Sequence, residues 1–104
     1  MKKIKTIDVN AKSWFDKVNG NSYFSGVVTI NYNKKDEQDV KMQFQYGYGN
    51  QYEWMAFKLL IDKGLIDADY QEGSLWRYCK DHEIDLRSNM QKGCLKREVL
   101  AFGE

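Results

Sequence analysis

Cys79 and His82 are the residues best suited to chemistry, because a thiol and an imidazole at this spacing share one face of a helix. Such a pair can act as nucleophile and base, or supply two zinc ligands with Cys94 as a third. His82 is the only histidine, and the chain has no other cysteines. Acidic neighbours such as Asp81 and Glu83 also oppose formation of a thiolate. We therefore expect no metal site, no cofactor and no catalytic residue.

Two acidic groups are the other candidates for catalysis. Neighbouring carboxylates can act as general acid and base, or hold a metal ion. Neither group has the pattern of a metal-dependent nuclease, so we predict that the protein is not an enzyme. The two groups are Asp81, Glu83 and Asp85, and Asp67, Asp69 and Glu72.

Gly47, Tyr48, Gly49 and Asn50 form a junction between a predicted strand and a predicted helix. Glycines let a ligand approach the backbone closely, and the free N–H groups of a helix N-terminus favour an anion. The motif lacks the third glycine of a dinucleotide-binding fingerprint. Two interpretations stay open: an anion or small-nucleotide site, or a sharp turn.

A basic segment follows near the end of the chain, with four cations and no acidic residue between positions 87 and 97. The formal net charge of the whole chain is only +1, which is too small for extensive phosphate binding. We predict that this segment joins the polar side of a strand to form a macromolecule-binding surface. Tyr46, Tyr48 and Trp76 are candidate stacking platforms for single-stranded bases. The predicted surface comprises Lys41, Gln43, Gln45, Arg87, Lys92, Lys96 and Arg97.

Three strands are predicted in the first half of the chain. Asn19-Gly20 is typical of a tight hairpin turn, and residues 22–32 after it alternate with a period of two. Residues 40–49 alternate more clearly, which predicts an antiparallel strand with one covered face and one open face. The apolar side of that strand is Val40, Met42, Phe44, Tyr46 and Tyr48, and the other side is Lys41, Gln43, Gln45, Gly47 and Gly49.

Two helices follow the strands. Asn50 is a candidate cap with Glu53 in a capping box, and Gly64 is a candidate stop. Ser74 is predicted to cap the second helix. Residues 84–102 read best as a C-terminal hairpin, and for residues 96–102 both strand and helix stay open. The prediction is a single α+β domain over residues 1–104: an antiparallel three-stranded meander packed by a helix, then a second helix and a C-terminal hairpin.

Three strings resemble a group of small uncharacterised proteins encoded in bacteriophage genomes, with similarity over about residues 13–97. They are WFDKVNGNSY at 14–23, FQYGYG at 44–49 and LWRYC at 75–79. The resemblance implies a phage or prophage product that acts in the cytoplasm of a bacterial host. Small phage proteins of this size are often inhibitors of host or defence machinery, anti-CRISPR proteins included. No catalytic residues are carried over from this group.

The sequence thus predicts a non-catalytic protein that binds and inhibits or redirects a bacterial protein or ribonucleoprotein. A nucleic-acid binder (RNA or single strand) and a small-nucleotide sponge are the alternatives. No apolar run is long enough to cross a bilayer, and the start of the chain lacks the apolar stretch of a signal peptide, so we expect a cytoplasmic protein with no membrane partner. A homodimer stays open, because a second copy can complete an incompletely covered sheet.

Overall fold

A computed structural model describes residues 4–68 and 74–104. Four strands form one mixed sheet in the order β3-β2-β1-β4, and three helices accompany it. The α+β class is therefore confirmed. The strands are β1 (Thr6–Asp16), β2 (Asn21–Ile30), β3 (Gln38–Tyr46) and β4 (Asp85–Gln91), and the helices are α1 (Gln51–Asp62), α2 (Leu75–Asp81) and α3 (Lys96–Phe102).

The predicted meander is incomplete, because the sheet has a fourth strand. β1, β2 and β3 pair antiparallel, whereas β4 pairs parallel to β1, from Thr6 opposite Asp85 to Lys12 opposite Gln91. The chain between β3 and β4 contains α1 and α2, which carry it across one face of the sheet to the far edge. The predicted C-terminal hairpin is therefore wrong.

The last predicted strand is a helix, α3. Its residues Lys96, Arg97, Glu98, Leu100 and Ala101 are strong helix formers, and only Val99 is β-branched. The Glu98 carboxylate accepts a hydrogen bond from the Leu95 N–H at 2.8 Å, which satisfies one free donor at the helix start. Helix α3 packs against β1, β2 and β3 on the face of the sheet that is opposite to α1 and α2.

The two faces of the sheet have different roles. The helix face carries the core: Ile7 and Val9 of β1 and Val28 of β2 are fully buried, together with Ala56 and Leu60 of α1. Burial of such side chains contributes roughly 1.5–3 kcal/mol each to folding. The opposite face, called the outer face below, is covered in part by α3.

A β-bulge overturns the simple alternation predicted for β3. Phe24 of β2 pairs with Gln45 and Gly26 pairs with Met42, so Ser25 lies opposite two residues of β3. Because of the extra residue, the side chains of β3 after the bulge point to the opposite face from the one that simple alternation predicts. Val40 and Met42 are buried in the core, whereas Phe44 and Tyr46 lie on the outer face.

The helix ends mostly follow the sequence signals. The Ser74 hydroxyl accepts a hydrogen bond from Arg77 N at 3.3 Å, which confirms the cap of α2. Gly64 has φ +71° and ends α1 as predicted. Asn50 precedes α1, but its side chain makes no capping hydrogen bond, so the predicted capping box is wrong. Within residues 4–68 and 74–104, no helix has the length and apolar character that a membrane span requires.

Asn31 ties the start of β1 to the turn after β2. It is buried, with φ 55°, and its side-chain oxygen accepts from Lys5 N at 2.7 Å and Thr6 N at 3.4 Å. Its amide nitrogen donates to an Asp36 carboxylate oxygen at 3.0 Å. Asparagine tolerates positive φ better than most residues, so one side chain serves both the turn and the edge of the sheet.

We expect Asn31→Ala to lower the free energy of unfolding by about 2–3 kcal/mol, because it leaves buried backbone donors unsatisfied. The matched control is Asn33→Ala, at an exposed position with a similar φ of 60°. Chemical denaturation of both variants measures the difference. Equal destabilisation by the two substitutions would show that backbone conformation, rather than the buried hydrogen bonds, sets the cost.

Candidate functional site

Four aromatic side chains form a row across the outer face of β1, β2 and β3, called the aromatic row below. The β1–β2 register places Trp14 directly opposite Tyr23, and β3 adds Phe44 and Tyr46 beyond the bulge. Trp14, Tyr23 and Phe44 are half-buried, and Tyr46 is 53% exposed. The row therefore places a broad aromatic surface on the side of the sheet away from the core.

The rings of the row stack on one another rather than lying flat on the sheet. The Tyr23 centroid lies 5.6 Å from Trp14 and 5.2 Å from Phe44, with interplanar angles of 26° and 8°. Because Trp14 and Phe44 belong to strands on opposite sides of β2, they cover opposite faces of the Tyr23 ring. Tyr46 meets Tyr23 edge-on, with centroids 5.8 Å apart. Tyr46 is therefore the exposed member of the row, whereas both faces of the Tyr23 ring are engaged.

The start of α3 places positive charge at one end of the row. The Lys96 ammonium lies 5.4 Å from the Trp14 ring centroid, a cation–π contact. Arg97 is exposed beside it, and Leu95 is 51% exposed. Aromatic, arginine and apolar side chains in one patch have the composition of an interaction surface.

The structure divides the predicted basic segment among three places. The Arg87 guanidinium binds Asp8 on the neighbouring strand at 2.6 Å and 3.0 Å, so much of its charge is offset. Lys92 lines a cleft on the helix side, and only Lys96 and Arg97 lie on α3 near the row. The four cations do not form one patch.

The predicted polar residues of β3 line a groove beside α1 rather than an open strand face. Gln43 and Gln45 line a groove between β3 and α1, together with Met55 and Leu59. Lys41 borders the same groove, and its ammonium lies 5.9 Å from the Phe102 ring of α3. The bulge explains the difference, because it interrupts the alternation that predicted one open face for these three residues.

A cleft of about 400 Å³ does lie on the outer face beside α3, but its polar lining residues are not the predicted ones. Its polar members come from β1, β2 and β4, which the sequence pattern did not bring together. They are Asn10, Lys12, Thr29, Asn89 and Gln91. The missed signal was the alternation of β1, which continues upstream of the predicted hairpin to Thr6.

The glycine junction lines a second cleft, called the junction cleft below, with a volume of about 240 Å³. The junction contributes Gly47, Tyr48 and Gly49, and the cleft also includes Lys92. Two serines on the helix face of the sheet line it as well, together with an exposed phenylalanine; these are Ser13, Ser22 and Phe15. Asn50 is exposed at the start of α1. The glycine junction and Lys92, which are far apart in the sequence, therefore meet in this cleft.

Cys79 and His82 do not form a reactive pair. Burial raises the pKa of the Cys79 thiol to about 11, whereas His82 is exposed and stacks on Tyr78 with centroids 4.2 Å apart. A buried, protonated thiol is a poor nucleophile. Among residues 4–68 and 74–104, no group of three or more histidine, cysteine or acidic side chains is placed to hold a metal ion. Of the second acidic group, Asp67 is exposed, and Asp69 and Glu72 lie outside the described residues.

The raised pKa of Cys79 predicts a loss of stability in alkali. The unfolded thiol ionises near the ordinary cysteine pKa of 9.0 and the folded thiol near 11, so the unfolded state binds fewer protons between these values. This contribution is fully present below pH 9 and is lost as the pH rises towards 11, at a cost of up to about 2 kcal/mol. Denaturation series at several pH values measure it. In Cys79→Val the decline should be shallower, and an unchanged decline would contradict the assignment.

The aromatic row and the basic start of α3 are thus the features that the fold displays without using them in its core. Comparisons of the chain with protein-family models, with curated proteins and with solved structures found no match.

Proposed function

We propose that this chain is a small non-catalytic accessory protein that binds a bacterial protein or ribonucleoprotein through the aromatic row and the start of α3. The observation that carries the proposal is the row itself. Tryptophan, tyrosine and arginine are the residues that most often dominate the energy of protein interfaces, and the row with the neighbouring Arg97 supplies all three. By occupying its target, the protein inhibits or redirects it.

The ring geometry supports a protein partner over single-stranded nucleic acid. A base needs an open ring face to stack on, and both faces of Tyr23 are covered by Trp14 and Phe44. Of the three predicted stacking platforms, Tyr46 and Tyr48 meet edge-on, with centroids 6.4 Å apart. The third, Trp76, lies on α2 on the other side of the sheet, with the Lys80 ammonium 5.1 Å from its ring centroid. The exposed Tyr46 side chain, by contrast, combines an apolar ring with a hydroxyl group and suits the pockets and polar groups of a protein surface.

The resemblance to phage-encoded proteins supplies the proposed setting. A phage product of this kind acts in the cytoplasm of the host, and a surface without catalytic residues acts by occupying its target. The proposal is therefore an anti-defence role, of the type that anti-CRISPR proteins perform. It names the class of target and the mode of action.

A tagged pull-down from bacterial lysate, with and without nuclease, tests this function. We expect protein partners that remain after nuclease treatment and are identified by mass spectrometry. Loss of all partners with nuclease, together with nucleic acid recovered from the untreated sample, would favour the nucleic-acid alternative. The binding variants described in the Discussion then identify the surface used.

The junction cleft supports a second candidate, a small-nucleotide sponge. An aromatic side chain, a lysine and two serine hydroxyls line one cleft beside a helix start, and this combination suits a ring with an anionic group. Calorimetric titration of the protein with a mononucleotide tests it. Saturable binding that Lys92→Ala weakens would favour the sponge, and no heat of binding at millimolar ligand would exclude it.

A further inference from the structure

β4 is an edge strand with few of the features that protect sheet edges. It is seven residues long, its register with β1 is continuous, and it contains neither proline nor lysine. The charge of Arg87 is already engaged by Asp8. The other edge, β3, differs because it has a bulge and the groove with α1 beside it. Among the described residues, no strand lies beyond β4.

The hydrogen bonds of β4 identify which backbone groups are directed away from the sheet. The Asp85 N–H donates to the carbonyl of Lys5 at 3.0 Å, so the backbone groups of Asp85 are directed towards β1. The backbone groups of successive strand residues point to opposite sides. The odd-numbered residues of β4 therefore bond to β1. The N–H and C=O groups that point outward belong to Leu86, Ser88 and Met90.

This parity restricts how two copies of β4 can pair. In a two-fold antiparallel pair, the outward-directed residues must face one another. Centring the pair on Ser88 uses all seven residues of the strand. Leu86 of each copy then lies opposite Met90 of the other on the helix face, and Arg87 lies opposite Asn89 on the outer face. No pair of directly opposed residues has like charges, so the strand is complementary to itself.

Trp76 on α2 is an independent feature at the same edge. Leu75 and Cys79 of α2 are buried against the core, and Tyr78 lies on the side next to Phe57 of α1. Helical geometry places Trp76 on the opposite side of α2, away from α1. Because α2 packs over β4 and α1 packs over β1, β2 and β3, that side faces the open edge. Trp76 is 59% exposed there.

We propose that β4 is a dimerisation edge, where a second copy of this chain extends the sheet antiparallel to eight strands with Ser88 on the two-fold axis. Trp76 of each copy then lies above the joined strands and covers the Leu86–Met90 pairs. The two-fold axis is perpendicular to the sheet, so both aromatic rows lie on the same side of the dimer. The dimer is thus a bivalent form of the proposed binding protein.

Analytical ultracentrifugation of the purified chain tests the proposal. At about 100 µM, a concentration that reveals weak association, we expect twice the mass of the chain. Ser88→Pro removes an outward N–H that β1 does not use, and Ser88→Ala keeps it. We expect the proline variant to raise the dissociation constant of the dimer at least about tenfold, and the alanine variant to leave it within about threefold.

A second pair of variants tests the tryptophan and guards against misfolding of the proline variant. Trp76→Ser is expected to weaken the dimer at least about tenfold, whereas Trp54→Ser, at an exposed tryptophan of α1, is expected to leave it unchanged. Circular dichroism checks that each variant is folded. A wild-type chain that stays monomeric at this concentration would overturn the proposal. A dimer that tolerates both Ser88→Pro and Trp76→Ser would also overturn it, since it must use another surface.

Discussion

A chain with both Tyr46→Ser and Lys96→Glu is expected to bind its protein partner at least about 100-fold more weakly than the wild type, since each hot-spot side chain contributes about 2 kcal/mol or more. Tyr46 is the most exposed member of the aromatic row, and Lys96 contacts Trp14 at its other end. The double variant therefore changes both ends of the proposed interface. Calorimetry or surface plasmon resonance with the purified partner measures the effect.

The matched control is Tyr32→Ser. Tyr32 is 58% exposed, close to the exposure of Tyr46, but it follows β2 at the other end of the sheet. We expect Tyr32→Ser to change the affinity by less than about threefold, as is usual for residues outside an interface. Equal losses in the control and the double variant would show that the effect is not specific to the row. All three substitutions change exposed side chains, so the melting temperature should change little.

The second large effect is expected from Gly103→Ala, which releases α3 from the outer face. A Cβ at Gly103 would lie 2.7 Å from the Met42 carbonyl oxygen and 2.7 Å from the Ser25 Cβ. The backbone there cannot give way easily, so the end of α3 must move out. We expect a loss of about 1–3 kcal/mol of stability and faster amide hydrogen exchange in α3.

The remaining anchors of α3 explain why this release reaches the binding surface. The Ser25 hydroxyl donates to the Val99 carbonyl, and the Lys12 ammonium lies 4.8 Å from the Phe102 ring centroid. If α3 moves out, Lys96 loses its position over Trp14 and affinity for the partner falls. Glu104→Ala, at the exposed neighbouring position, is the control and should leave both exchange and affinity unchanged. Wild-type exchange in α3 of the Gly103→Ala variant would contradict this account of how α3 is held.

Local sequence signals predicted the helix ends, because residues close together in the sequence determine them. Gly64 identified the end of α1, and Ser74 identified the start of α2. These signals depend on neighbours three or four residues away, so they can be read from one sequence. The class of the fold followed from them.

Contacts between residues far apart in the sequence could not be predicted from these signals. Asp8 and Arg87 meet across parallel strands although 79 positions separate them, so the offset charge of Arg87 could not be predicted. The bulge opposite Ser25 left no local signal either, and it interrupts the alternation predicted for β3. The pairing of Trp14 with Tyr23 was also beyond local signals. The strands are joined by a four-residue loop over residues 17–20, whereas the predicted tight turn at Asn19-Gly20 would have placed Trp14 opposite Ser25.

Hydroxyl-radical footprinting of the complex with the captured partner tests the central claim most directly. Exposed aromatic side chains report separate surfaces: Tyr46 the aromatic row, Trp76 the β4 edge, Trp54 the helix α1 and Tyr32 the turn after β2. We predict that binding lowers the oxidation rate of Tyr46 at least about fivefold and leaves Tyr32 and Trp54 unchanged, because a protein partner excludes solvent from the residues it covers. Unchanged oxidation of Tyr46 together with protection of Trp54 or Tyr32 would contradict the assignment of the row as the binding surface.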